Sequence, residues 1–212
     1  MVKISYQPIP KSKNKRPGTK IGIDYITIHS TANPASTAQN ERDNLARPAN
    51  QRKASFNWVI DDTEVIQCVP DGEITYHAGP DKGNRSGISI ELCESGDRAK
   101  TLANAAYFVA LEMAKYGIPE SRVVTHNYWS GKDCPRILRN PQYVKNGMNW
   151  DYFKNLIKKE GEKQMGKEIK TVKEAVSRLQ AKGMMDSPEY WETACSYIKN
   201  LSELLIKIAS KI

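Results

Sequence analysis

The sequence feature that most constrains this chain is the stretch VVTHNYWSGKDCPR at residues 123–136. Two apolar residues lead into His126, a polar and aromatic loop follows, and Cys134 lies eight positions after the histidine. Imidazole and thiolate are ligand types that zinc prefers, and a loop of this length can bring both side chains to one ion. A catalytic zinc site needs a third protein ligand and an open fourth position. Such a chain must also supply a group that moves protons.

His29 is the candidate for the third ligand. It ends the run IGIDYITIH at residues 21–29, whose alternating and β-branched residues predict a strand, and His126 likewise ends the predicted strand 122–126. Side chains at the same end of neighbouring strands converge in space. A single histidine after a strand is usually a hydrogen-bonded core or loop residue. His29, His126 and Cys134 together favour a site for one zinc ion per chain.

Glu91 and Lys132 are the candidates for the chemical steps at such a metal. Glu91 stands between Ile90 and Leu92 in a predicted strand, so its side chain points to the opposite face from two apolar neighbours. A carboxylate there could act as a general base, and the alternative is a solvated strand residue. Lys132 lies two residues before Cys134 and could stabilise an oxyanion. The alternative for Lys132 is an ordinary surface loop lysine.

Strand and helix patterns interleave along the first 157 residues, which predicts an α/β fold with a mixed central sheet flanked by helices. Residues 1–20, polar and basic with three prolines, are expected to form an extended lead-in. The predicted strands are 21–29, 54–60, 64–69, 87–93 and 122–126, and the predicted helices are 36–46 and 101–116.

The end of the chain predicts a small all-helical unit at residues 171–212, joined to the domain of residues 1–157 by a charged linker at 158–170. Thr171 and Glu174 form a capping box, and Ser187-Pro188 can begin a second helix. An apolar stripe follows at helical spacing: Trp191, Ala194, Ile198, Leu201, Leu205 and Ile208. Because two short helices cannot bury this stripe alone, we expect docking on the first domain, homodimer formation, or binding to a target.

Composition excludes several classes of protein. No apolar run approaches the roughly 20 residues that span a bilayer, and residues 1–8 lack the apolar core of a signal peptide, which predicts a cytoplasmic chain. The net charge of +8 suggests a polyanionic partner, but no nucleic-acid-binding motif accompanies it.

The chain has four cysteines, and in a cytoplasmic chain of this size disulfides are not expected. Cys68 and Cys93 lie in apolar runs and are expected to be buried hydrophobes.

Four segments in consistent order resemble the zinc-dependent N-acetylmuramoyl-L-alanine amidases, a family that includes phage endolysins and prophage autolysins and is related to the peptidoglycan recognition proteins. The segments are YITIHSTA at 25–32, YHAG at 76–79, GISIE at 87–91 and the stretch from His126 to KDCPR at 132–136. The resemblance covers about residues 20–145. It implies a mixed sheet flanked by helices, in agreement with the pattern of strands and helices.

The resemblance also implies roles for individual residues. It makes His29, His126 and Cys134 the zinc ligands, with Glu91 and Lys132 serving the reaction. His77, in the YHAG segment, becomes a substrate contact or a structural loop histidine. Some relatives carry a tyrosine in the second strand, where this chain has Phe56 or Asn57, so Phe56 is a candidate substrate contact and Glu91 carries more of the proton transfer.

The activity implied by the resemblance is hydrolysis of the amide between N-acetylmuramic acid and L-alanine in peptidoglycan. The expected partners are peptidoglycan and anionic wall polymers, and the helices of residues 171–212 are candidates for targeting the wall. The enzyme would remain in the cytoplasm until lysis. One alternative is a peptidoglycan-binding module of the same fold that does not cut its ligand, but such modules typically lack the cysteine ligand. A basic nucleic-acid binder is a further alternative, and it would need no zinc.

Overall fold

The computed structural model describes residues 2–165, 172–185, 187–188, 191 and 201–210. Within them a six-stranded sheet has the order β1-β4-β3-β5-β2-β6. The strands are β1 Lys3–Tyr6, β2 Tyr25–Ser30, β3 Trp58–Ile60, β4 Glu64–Gln67, β5 Gly87–Leu92 and β6 Val123–Thr125. Only β3 and β4 pair antiparallel, as the predicted hairpin, and the other neighbours are parallel. The predicted mixed sheet is confirmed.

Three strands differ by several residues from the sequence prediction. The predicted strand 21–29 begins as β2 only at Tyr25. The expected lead-in contains an edge strand, because Lys3–Tyr6 hydrogen-bonds in parallel register along β4. The predicted strand 54–60 is ordered as β3 only from Trp58, because Asn57 just before it bonds through its side chain. The Asn57 amide nitrogen donates to the carbonyl of Pro70, and its amide oxygen accepts from the backbone N–H of Ser89.

The helices of the described residues are α1 Ala38–Ala46, α2 Asp81–Asn84, α3 Arg98–Tyr116, α4 His126–Ser130, α5 Arg136–Arg139, α6 Trp150–Met165, α7 Val172–Ala181 and α8 Leu201–Ser210. The main core lies between one face of the sheet and helices α3 and α6. It contains Ile28 from β2, Ile90 from β5 and Phe153 from α6, all with no exposed surface. Helix α1 covers β3 and β4 from the opposite face.

Capping residues fix where the first long helices begin and end. Thr37 caps α1 by accepting from the backbone N–H of Asn40, in agreement with the predicted start. Helix α3 begins at Arg98, three residues before the predicted start, because Asp97 accepts from two backbone N–H groups of the first turn. It ends at Gly117, whose φ of 65° is the left-handed conformation that glycine favours.

The cysteines among the described residues, Cys68, Cys93 and Cys134, are free and buried. Cys68 and Cys93 lie in the smaller hydrophobic cluster beneath α1, as expected for inert core residues. Burial raises the pKa of both thiols well above the ordinary value, so neither is a reactive thiolate. Cys195 lies outside the described residues.

The C-terminal part of the chain is helical, with one difference from the sequence prediction. Helix α6 continues to Met165, so residues 158–165 of the predicted linker are helical, while 166–170 lie outside the described residues. Lysine and glutamate favour helix, and the buried Phe153 and Ile157 anchor the helix on α3. The division into domains at 157 and 171 stays a prediction.

Helices α7 and α8 pack against each other, and α7 also contacts α3. Ala175, Val176 and Leu179 are buried in this cluster. Of the predicted apolar stripe, residues 192–200 lie outside the described part of the chain. No helix in the described ranges combines the length and the apolar character that a membrane span requires.

Candidate metal and catalytic site

The candidate site lies at the carboxyl ends of three adjacent parallel strands, β6, β2 and β5. Ile28 pairs with Thr125, so His126 follows β6 beside the end of β2, and His29 pairs directly with Glu91. Because side chains alternate along a strand, Ile28 and Ile90 point into the core under α3 while His29 and Glu91 point to the other face. The predicted convergence of the strand ends is therefore observed.

His29, His126 and Cys134 form a compact buried group of candidate metal ligands. Their ligand atoms lie within 4.8 Å of one another, and the three residues are only 2%, 6% and 6% exposed. Nδ1 of His29 is 3.7 Å from Sγ of Cys134. Two ligands of one tetrahedral zinc ion, with bonds of about 2.0 and 2.3 Å, stand about 3.5 Å apart. Nδ1 of His126 is buried without a hydrogen-bond partner, which fits a ligand atom.

The loop between the second histidine and the cysteine is closed by hydrogen bonds. The backbone N–H of Asn127 donates to the carbonyl of Cys134 at 3.1 Å, and its side-chain amide donates to the carbonyl of Lys132 at 3.0 Å. Gly131 turns the chain with a φ of 74°. These contacts return Cys134 to the side of His126, as the eight-residue spacing predicted.

The electrostatics of the three residues suit metal binding. Burial lowers the pKa of His29 well below its ordinary value, and burial followed by the charge of Lys132 lowers the pKa of His126. Both imidazoles therefore keep a lone pair at neutral pH. Burial raises the pKa of the Cys134 thiol to about 12, so ligation would require the charge of a bound cation to drive the proton off.

Glu91 lies beside the metal ligands in an environment that disfavours its charge. Burial raises its pKa to about 8, and Glu41 and Glu94 add to the shift while Lys132 opposes it. Its Oε2 atom is buried without a hydrogen-bond partner. A carboxyl group with a raised pKa and an uncommitted oxygen can exchange protons near neutral pH.

Lys132 is exposed on the same loop, and its charge lowers the pKa of His29, Glu91, His126 and Cys134. Phe56 is half-buried and packs against the cluster beneath α1. Asn57, the alternative residue at the position where some relatives have a tyrosine, is fully buried and uses its amide for structural hydrogen bonds. The predicted substrate contact through Phe56 stays a prediction.

His77 lies directly behind His29. Its Nδ1 atom is 3.0 Å from Nε2 of His29, and the two rings meet at 88°. Burial lowers the pKa of His77 to about 3. The sequence offered a substrate contact or a structural loop role, and no local pattern indicated this pairing with a residue 48 positions away.

A partly buried ion pair connects the two loops that follow His29 and Cys134, and the sequence did not indicate it. Glu94 accepts the guanidinium of Arg136 at 2.6 Å, two residues after Cys134. The same carboxylate accepts from the backbone N–H of Ala32 at 3.0 Å, three residues after His29. The pair therefore ties the end of β2 to the cysteine loop.

Comparison with known proteins identifies the family. The family model described as N-acetylmuramoyl-L-alanine amidase matches residues 17–137, more than half of the chain. The chain is similar to the N-acetylmuramoyl-L-alanine amidase XlyA of Bacillus subtilis (strain 168), at 40% identity over 158 residues, covering 73% of this chain and 50% of XlyA. It is 36% identical over 162 residues to CwlH, an N-acetylmuramoyl-L-alanine amidase of the same organism, covering 74% of this chain and 62% of CwlH.

The chain thus spans between half and about two thirds of the length of these relatives. Among solved structures, the catalytic domain of XlyA matches with a TM-score of 0.66 and 40% identity, covering 74% of this chain and 99% of that domain. The matched family region contains all of the residues discussed above as metal ligands or proton carriers. The chain therefore belongs to the N-acetylmuramoyl-L-alanine amidase family.

Proposed function

We propose that this chain is a zinc-dependent hydrolase that cleaves the amide between the lactyl group of N-acetylmuramic acid and the L-alanine of peptidoglycan. The observation that carries the proposal is the buried group of His29, His126 and Cys134, which lies next to Glu91 in a chain of this family. These three residues would hold one zinc ion and leave a fourth position open. Zinc there would polarise the scissile carbonyl and make a water molecule more acidic.

Glu91 would take the proton of the attacking water and pass it to the nitrogen of the leaving alanine. Two observations support this role: Glu91 pairs in register with His29, and the Oε2 atom of Glu91 has no hydrogen-bond partner. A bound cation would favour the charged form of Glu91 and offset the burial that raises its pKa. The residue would then be a base in the free enzyme and an acid after proton transfer.

Lys132 would stabilise the negative charge that builds on the carbonyl oxygen. Its charge lowers the pKa of four members of the site, and its side chain is exposed on the loop that carries Cys134. A fixed cation aimed at a developing oxyanion is among the larger contributions to catalysis of acyl transfer.

The net charge of +8 supports peptidoglycan decorated with anionic wall polymers as the physical substrate. We propose an endolysin-type enzyme that remains in the cytoplasm until lysis and then acts on the wall. The C-terminal helices would dock on the catalytic unit, since α7 contacts α3. Wall targeting and dimer formation through these helices stay predictions.

The experiment measures zinc and bond cleavage on the same samples. Purified protein should contain one zinc per chain and should release new alanine amino termini from cell walls without new reducing sugar ends. Chelation should abolish release until zinc is restored. Cys134→Ala should lose zinc and activity together, whereas Cys68→Ala, at a buried cysteine away from the site, should keep both. Full activity in a zinc-free sample would refute the mechanism.

A further inference from the structure

The segment from His77 to Asn84 contacts two of the candidate zinc ligands from behind. Nδ1 of His77 lies 3.0 Å from Nε2 of His29, the ring atom opposite the one that faces Cys134. The backbone of Ala78 lies next to the His126 ring and favours its protonated form. One loop therefore lies against both histidines, and it contacts His29 on the side that faces away from Cys134.

This loop is held by a buried amide. Asn84 is 7% exposed, and its Oδ1 atom accepts from the backbone N–H groups of His77 and Ala78 at 2.9 and 2.8 Å. Its amide nitrogen donates to the carbonyl of Gly79 at 3.4 Å. These bonds hold the backbone that carries the imidazole of His77, independently of any substrate.

The chemistry of ligation fixes the direction of the bond between the two histidines. A metal at Nδ1 of His29 uses the lone pair of that atom, so the proton of the neutral ring must be on Nε2. Nε2–H then donates to Nδ1 of His77, which must be unprotonated. The remaining proton of His77 falls on its Nε2 atom, which is buried with the backbone of Gly83 nearby but no well-aligned acceptor.

We propose, on the basis of the proposed zinc amidase function, that His77 is a positioning residue for zinc binding and does not contact substrate. It accepts the Nε2–H of His29, which fixes both the tautomer and the orientation of that ligand. Outer-shell partners of ligating histidines typically change metal affinity about 10–100-fold when they are removed.

The test measures zinc affinity by competition with a chromogenic chelator, which does not depend on activity. His77→Ala removes the acceptor and should weaken zinc binding about 10–100-fold. His77→Asn places an amide oxygen near the former Nδ1 position and should restore most of the affinity. Asp81→Asn, an exposed substitution in the same segment, is the matched control and should bind zinc like the wild type. The melting temperature of each metal-free variant reports any general loss of structure.

A spectroscopic measurement tests the same bond directly. Nitrogen-15 chemical shifts of the zinc-loaded wild type should show His77 protonated at Nε2 and unprotonated at Nδ1. A proton on Nδ1 of His77 would overturn the proposal, because that atom could then not accept the Nε2–H of His29.

Kinetics on soluble muramoyl peptides separates positioning from substrate contact. If His77→Ala keeps wild-type zinc affinity but raises KM, His77 is a substrate contact and the proposal is wrong. If His77→Asn binds zinc as poorly as His77→Ala, the acceptor atom is not what matters, which also overturns it. If the zinc contrast is observed but the wild type cleaves no muramoyl amide, the proposed function fails while the assignment of His77 stands.

Discussion

Strands β2 and β5 have two chemically different faces, one that forms the hydrophobic core and one that carries the candidate site. On β2 and β5 the side chains toward α3, such as Ile28 and Ile90, are fully buried hydrocarbon in one continuous core. The next residues along these strands, His29 and Glu91, are polar and face the other side, where His29 contacts His77 and Cys134. Oε2 of Glu91 and Nδ1 of His126 are buried without any hydrogen bond.

The comparison shows how a stable sheet can contain buried polar groups that lower the free energy of unfolding. A buried polar atom without a partner costs on the order of 1–3 kcal/mol, so such atoms persist only where the remaining structure offsets them. Here the apolar face supplies that stability within the same strands. Substitutions on the apolar face should therefore change stability, and substitutions on the polar face should change chemistry.

The largest effect on the polar face is expected at Glu91. Glu91→Gln keeps the size of the side chain but removes the base, so turnover should fall about 10²–10⁴-fold. Zinc content and melting temperature should stay close to the wild type. Glu64→Gln, at a strand glutamate paired with Lys3 at the far edge of the sheet, is the matched control and should keep full turnover. Wild-type turnover in Glu91→Gln would place the base elsewhere.

The neighbouring residue on the apolar face should show the opposite behaviour. Ile90→Ala leaves a cavity in the main core and should lower the free energy of unfolding by about 2–5 kcal/mol, measured by denaturant titration. Ile90→Val should cost only about 0.5–1.5 kcal/mol. Turnover and zinc content of the folded protein should not change. A loss of turnover at unchanged stability would show that the two faces are not separable in this way.

The smallest effect is expected at Lys132, which reaches the polar face from a loop. Lys132→Ala should lower turnover roughly 10²-fold if the ammonium stabilises the oxyanion, with zinc affinity close to the wild type. Lys100→Ala, at an exposed lysine in the first turn of α3, is the control and should leave turnover unchanged. Equal turnover in both variants would make Lys132 an ordinary surface residue.

The amino-acid sequence by itself determined the alternation that separates the two faces. Local patterns predicted β2, β5 and β6, and the strand ends then brought His29, His126 and Cys134 together as expected. The helix ends followed from capping residues such as Thr37 and Gly117, which act within one turn of their own position. These features depend on the period of a strand or on short-range hydrogen bonds, so a single sequence contains them.

Only the tertiary structure decided the features that depend on contacts between distant segments. The edge strand at Lys3–Tyr6 pairs with β4, whose hydrogen-bonding partners lie some 60 residues away, and its alternation of apolar and polar residues is too short to predict a strand without that partner. Residues 158–165 continue a helix that Phe153 and Ile157 anchor on α3, and this packing adds to the helix propensity of their lysines and glutamates. The contact of His77 with His29 likewise depends on a loop that Asn84 folds back against β2. Packing between distant residues fixes such contacts, and no local propensity encodes them.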